Sequence, residues 1–261
     1  MPSDTPPQIR CDLEALPTGG QLARVTIDHE ARINSLNSAL ILQLAAVCGR
    51  LSGDDDLRCV VLTGAGDRAF IGGADIREMA SLDPSSARGF ISRLHDACAS
   101  IRAIPVPVIA RIQGYCLGAG LEIAASCDLR VAAHGATFGM PEVHVGIPSV
   151  IEAALLPRLV GAGTARELVF TGASLTAADA WRCGLVDKVV AVADLDVVTL
   201  EWVQAIASAG PRAMRLQKQL VRLWDTVPLD DAIARSMQTF AEAYETDEPR
   251  RLMQAFLDRK L

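Results

Sequence analysis

The sequence predicts an α/β fold, with a core of strands alternating with helices followed by an all-helical region. Three observations carry that expectation. Short apolar runs end in glycine: QLARVTID closes near Asp28, and RCVVLTGAG (58–66), PVPVIARIQG (105–114) and DLRVAAHG (128–135) repeat the pattern. Amphipathic stretches lie between these runs. After about residue 190 the strand pattern gives way to consecutive helix-like segments. Strands that alternate with helices are the mark of α/β architectures.

Taken in order, residues 1–20 (MPSDTPPQIRCDLEALPTGG) are polar and Pro-rich and read as a tail. They lack the basic-then-apolar pattern of a secretory signal. Residues 21–198 read as the strand–helix core. Within it, Leu40, Leu44, Val47 and Leu51 stripe a helix between Asn34 and Leu51, and Ile91, Leu94, Cys98 and Ile101 stripe a second over 84–104. Residues 199–261 read as helical: EWVQAIASAG, PRAMRLQKQLVRLWD, PLDDAIARSMQTFAEAYE and PRRLMQAFLDRK, three of them opened by Pro at a suitable first position. Leu229, Ile233, Phe240 and Tyr244 keep an apolar face on the third, which must be buried on the core or on another subunit.

Composition excludes several classes. With 261 residues, half of them apolar, the chain buries a core without help from disulfides or metal. A net charge of −6 and 4% aromatics argue against a nucleic-acid partner, which needs a basic face or stacking platforms. The seven cysteines are scattered with no C-x-x-C pair, so they read as small buried hydrophobes in a reducing compartment. The four histidines show no metal-ligand spacing. No stretch approaches the ~20 apolar residues of a membrane helix. A soluble, cytoplasmic protein with no metal and no membrane partner is expected.

Two segments carry chemistry. In RAFIGGADIREM (68–79) a strand end meets Gly72-Gly73 and a fresh helix, where free N–H groups can receive developing negative charge; a plain connecting turn is the alternative. In IQGYCLGAGLEIAASCDLRVA (112–132), Gly118-Ala119-Gly120 is followed by Leu121 and Glu122, so the dinucleotide G-x-G-x-x-G fingerprint fails. What remains is a small-residue loop opening a helix, with Glu122 in its first turn. Glu122 there either offsets the helix dipole or finds a catalytic partner. The candidate partner is Glu142 in ATFGMPEVHVG, twenty residues on; alone it is equally suited to a salt bridge.

These residues resemble the enoyl-CoA hydratase/isomerase (crotonase) family, from RVTIDHEARINSLN through GGADI, GYCLGAGLE and FGMPE to TAADAWRCGLVDKVV and AFLDRK. The resemblance implies a spiral of repeated ββα units with a C-terminal helical trimerisation region, and trimers or hexamers of the chain. It implies an acyl-CoA thioester substrate, with coenzyme A part of that substrate and no separate cofactor. Glu122 and Glu142 match the two catalytic glutamates. The backbone N–H groups of Gly72 and Ala119 match the oxyanion hole. Ala31, Arg32 and Ile33, with Gly73, Ala74, Asp75 and Ile76, match the segments of the coenzyme A groove. The activity so implied is reversible hydration of a 2-enoyl-CoA. Isomerisation, dehydration of a functionalised hydroxyacyl-CoA, or a non-catalytic oligomeric scaffold are the rivals.

One segment departs from the family pattern. Where hydratases read I-P-G-A-G-G, this chain has Ile147-Pro148-Ser149-Val150-Ile151-Glu152. Ser149-x-x-Glu152 has the form of a helix capping box, with Glu152 otherwise a third carboxylate near the substrate. His144 would share the face of Glu142 if the segment were a strand, and is expected to be structural. Asp54-Asp55-Asp56 reads as a solvated turn.

Overall fold

A computed structural model describes residues 6–258. Lys260, the last residue of the AFLDRK segment, and the ends of the 1–20 and 199–261 regions lie outside them.

A six-stranded sheet forms the backbone of the core, in the order β1 (Gln8–Ala15), β2 (Gln21–Asp28), β3 (Leu57–Gly64), β5 (Val108–Ile112), β7 (Leu129–Ala133) and β10 (Lys188–Val190). Only the β1–β2 pair is antiparallel. A second sheet of three-residue strands runs β4 (Ala69–Ile71), β6 (Tyr115–Leu117), β8 (Thr137–Gly139) and β9 (Ser174–Thr176). The chain alternates between the sheets: β3 leads to β4, β5 to β6 and β7 to β8. A helix or helical turn follows each pair, so each turn of the spiral is one ββα unit.

The helices of the core are α1 (Ser38–Ser52), α2 (Ile76–Met79), α3 (Pro84–Ala103), α4 (Ala119–Ser126), α5 (Leu156–Thr171) and α6 (Ala177–Arg182). Then come α7 (Leu195–Ser208), α8 (Pro211–Trp224), α9 (Leu229–Ala243) and α10 (Glu248–Leu257). Local chemistry sets their starts. Asn37 caps α1 by accepting the Leu40 N–H at 2.9 Å, and Asp83 caps α3 through the Ser86 N–H at 2.7 Å.

β3 shows why its sequence is apolar without alternation. Val60 and Leu62 face the main core with α1 and α3, while Cys59 and Val61 face a second cluster with Leu195 and Val203 of α7. A parallel strand covered on both faces has no polar side to show. Five of the cysteines are buried, and burial pushes the Cys48 thiol up to about 11 and those of Cys59 and Cys127 to about 12. They pack as hydrophobes.

The stretch expected to be a tail contains β1, an edge strand paired with β2 from Gln8↔Asp28 to Ala15↔Gln21. Its polar character fits an edge: five of its eight residues are exposed. Cations tie the helical region to the core. Arg58 donates to the main-chain oxygens of Ala207 and Ala209, Arg215 to that of Asp54 at 2.8 Å, and buried Lys218 of α8 pairs with Asp128.

Candidate active site

The site forms where two ββα units meet. β6 ends at Leu117, the chain turns at Gly118, and α4 begins at Ala119. All eight residues of α4 are buried, Glu122 included, at 4% exposure. A helix can lie this deep because its first turn is small: a Cβ on Gly120 would stand 2.2 Å from the Ile71 carbonyl oxygen of β4. The Ala119 N–H makes no hydrogen bond among the described residues, as expected for a first-turn amide.

Glu142 arrives from the next unit. β8 ends at Gly139, and Pro141–Val145 form a 3-10 turn rather than a strand. The Ser149 hydroxyl donates to Glu142 Oε2 at 2.8 Å. Glu122 and Glu142 line one cavity of about 840 Å³ with Gly72, Gly73, Ala74 and Ala119. Its other walls are largely apolar, including Met79 of α2, Ile91 and Leu94 of α3, and Ile147 and Val150. Burial pushes the Glu122 carboxyl up to about 8; the Ala153 N–H, 3.2 Å from Oε1, opposes the rise, while the charges of Glu142 and Glu152 add to it.

The turn at Gly72 differs from the expectation in one atom. The Gly72 N–H donates to the Ile33 carbonyl oxygen at 2.8 Å and is not available to a ligand. Two residues on, Ala74 pairs with Leu36 through its neighbours, which donate or accept on either side, and its own N–H has no acceptor among the described residues. Strand-like alternation turns the Ala74 amide away from that partner. Of the expected pair, Ala119 therefore keeps a free amide and Gly72 does not, while Ala74 brings a free amide to the same cavity.

The expected coenzyme A segments divide. Gly73, Ala74 and Ile76 line the cavity. Asp75 caps α2 through the Arg77 N–H at 2.9 Å and pairs with Arg32 at 3.4 Å, so its carboxylate is structural. Ala31, Arg32 and Ile33 form the adjacent turn and do not line this cavity. Buried Asn34 locks that turn in place: its Nδ2 donates to the Ala65 and Ala69 carbonyls at 2.9 and 2.8 Å, and its Oδ1 accepts the His29 N–H at 3.0 Å.

The capping box is not formed. Ser149 turns to Glu142, and Glu152 turns to His95, whose Nδ1 lies 2.9 Å from Oε1. The 3-10 turn over Ile151–Leu155 has no side-chain cap. Once Ser149 bonds the Glu142 carboxylate, its hydroxyl no longer closes the box. His144 also lines the cavity; its ring packs where a Cβ on Gly172 would meet Nε2 at 2.4 Å. The Ser149, Ala153 and His95 contacts are tertiary, and no spacing in the sequence announces them.

Comparison with known proteins identifies the family of the chain. Residues 18–261 match the enoyl-CoA hydratase/isomerase family. The chain is 37% identical over 242 residues to a short-chain-enoyl-CoA hydratase of Clostridium acetobutylicum, covering 92% of this chain and 93% of that one. It is 34% identical to a crotonyl-CoA hydratase of Syntrophomonas wolfei, over 92% and 93% of the two chains. A crystal structure of an enoyl-CoA hydratase from Bacillus anthracis superposes with a TM-score of 0.91 at 33% identity, covering 97% of each chain. With its spiral of ββα units and a family match across most of its length, the chain belongs to the enoyl-CoA hydratase/isomerase family.

Proposed function

We propose that the protein is an enoyl-CoA hydratase, adding water reversibly across the C2–C3 double bond of a 2-enoyl-CoA thioester. The observation that carries this reading is that Glu122 and Glu142 line one cavity together with Ala74 and Ala119, whose backbone amides have no acceptor among the described residues. Attack of water at C3 moves charge onto the thioester oxygen. The amides of Ala74 and Ala119 receive that charge, and a donor of this kind is worth roughly 10²–10³ in rate. The thioester supplies the activation, so the reaction needs no further cofactor.

Glu122 and Glu142 handle the protons. In dehydration Glu142 removes the C2 proton while Glu122 protonates the departing hydroxyl. In hydration Glu122 accepts a proton from water while Glu142 delivers one to C2. Burial leaves the proton on Glu122 at neutral pH, the form suited to dehydration. Its transfer through the bound water to Glu142 gives the form that hydrates. Both forms carry one proton on the pair, so both directions share the same pH limits.

Isomerisation needs one principal base, and the pairing of two glutamates favours hydration. A trimer or hexamer is supported by apolar side chains left exposed on α9, and a cytoplasmic location by seven free cysteines.

The test is a panel of enoyl- and 3-hydroxyacyl-CoA thioesters, followed by loss or gain of the conjugated enoyl absorbance. Glu122→Gln and Glu142→Gln are each expected to cut turnover at least ~10²-fold, with the double variant far less than multiplicatively worse. Wild-type rates in either single variant would refute the mechanism.

A further inference from the structure

Glu122 and Glu142 account for the cavity, but a third carboxyl group stands behind them. Glu152 lies in the turn Ile151–Leu155, is 4% exposed, and does not line the cavity. Its Oε1 lies 2.9 Å from His95 Nδ1 of α3, while Oε2 is sealed from solvent with no hydrogen-bond partner among the described residues. A carboxylate only accepts, so His95 brings the proton to that contact. The His95 side chain is 52% exposed, and the pair therefore links a buried acid to the surface.

The same turn touches the catalytic group. Ala153, the residue after Glu152, donates its N–H to Glu122 Oε1 at 3.2 Å. The turn opens with Ile151 at φ 42°, a left-handed conformation that a β-branched residue adopts only where its surroundings enforce it. The His95–Glu152 contact is one such restraint, tying the turn to α3.

The other charged or titratable groups near Glu152 do not compensate it. Glu122 approaches from α4, with Glu142 beyond it on the cavity. From α3, besides His95, the buried Cys98 thiol is held well above its usual range by burial and by the charges of Glu152 and Glu122. On α5, Arg158 turns to the Asp225 carbonyl, and Arg166 and Glu167 are exposed.

We infer that Glu152, held by His95, is a positioning residue for Glu122: it fixes the turn whose Ala153 N–H orients the Glu122 carboxyl, and it places a third carboxyl group behind the catalytic pair. Glu152 touches no substrate in this role. The inference rests on the hydratase reading only for its kinetic readout.

The experiment compares the pH dependence of kcat/KM for hydration in wild type and four variants, together with the titration of the 13C-labelled Glu122 carboxyl in the free enzyme. Glu152→Gln keeps an acceptor for His95 but removes the charge. It is expected to move the alkaline limb, and the Glu122 titration, down by about half a pH unit or more. Glu152→Asp keeps the charge and stays close to wild type. His95→Ala takes away the donor that this buried carboxylate has among the described residues; the carboxylate then binds a proton itself, so the limb moves down as in Glu152→Gln. His95→Gln restores an N–H donor and brings the limb back. His95 is half-exposed, so this second pair decides the matter even if Glu152→Gln does not fold. An unmoved limb and an unmoved Glu122 titration in Glu152→Gln and His95→Ala would overturn the inference. Wild type inert toward every thioester would count against the hydratase reading instead, and the carboxyl titration would still decide the role of Glu152.

Discussion

Gly118 faces the carboxylate of Glu142 so closely that a Cβ on it would stand 2.4 Å from Oε1. Its backbone, at φ 52° and ψ −120°, is open to glycine and strained for other residues. One residue thus turns the chain from β6 into α4, frees the Ala119 amide, and makes room for a Glu142 oxygen from another unit. The glycine is where the two halves of the site are brought into register.

Gly118→Ala is therefore expected to harm catalysis through geometry alone. Displacing Glu142 by about 1 Å is enough for a loss near 10²-fold in kcat/KM. The strained backbone adds a destabilisation of roughly 1–3 kcal/mol, measurable by urea unfolding. Turnover within twofold of wild type would show that Glu142 does not need this position.

Ser149→Ala tests the hydroxyl that holds the same carboxylate. A hydrogen bond to a charged group contributes about 1.5–3 kcal/mol, so its loss is expected to lower kcat/KM roughly 10–100-fold. Ser149→Thr keeps the hydroxyl and is expected to retain more activity than Ser149→Ala. Equal losses in the two would assign the effect to packing.

The site was legible where chemistry sits in a continuous motif. Glu122 follows its glycine turn within four residues, and Glu142 follows Pro141, so both were visible along the chain. The end of β4 showed before Gly72-Gly73, but β6 and β8 did not, since three residues are too few for alternation to show. A strand end at Ile71 marks where the turn begins, but the Gly72–Ile33 and Gly73–Leu36 bonds are tertiary, so the motif alone does not tell the Gly72 amide from that of Ala74. Ser149 and Glu152 had the spacing of a capping box, yet their partners lie on other elements and override it. β1 reads as a tail in the sequence because an edge strand shares the polarity of a tail.

The apolar stripe of α9 was also visible in the sequence, but its burial was not decided there. In the structure Leu229, Ile233, Met237 and Phe240 are 75%, 51%, 67% and 67% exposed, at helical spacing. A face of this kind on a folded chain marks an association surface. Light scattering at micromolar concentration is expected to find a trimer or hexamer. The double change Ile233→Asp and Met237→Asp should shift it toward monomer while far-UV circular dichroism stays unchanged. A wild-type monomer would remove this role from α9.

Burial of Glu122 also makes a prediction for stability. In the unfolded chain a glutamate titrates near 4.3, whereas in the folded protein Glu122 titrates at about 8. Below about pH 4 both states hold the proton and the residue contributes nothing to the pH dependence. Between these values the folded state binds more protons than the unfolded state, so stability falls as pH rises. Above pH 8 the full penalty applies, on the order of 5 kcal/mol at most. Glu122→Gln keeps an oxygen for the Ala153 N–H and has no charge to bury. It is expected to match wild type in urea unfolding near pH 4.5 and to exceed it increasingly toward pH 8.5, by a few kcal/mol. Groups remote from Glu122 are common to both proteins and cancel, so the difference reports this carboxyl together with its coupling to Glu142 and Glu152. A difference that stays constant with pH would mean that Glu122 is ionised in the fold across the whole range, and the proton on the catalytic pair would then have to reside on Glu142.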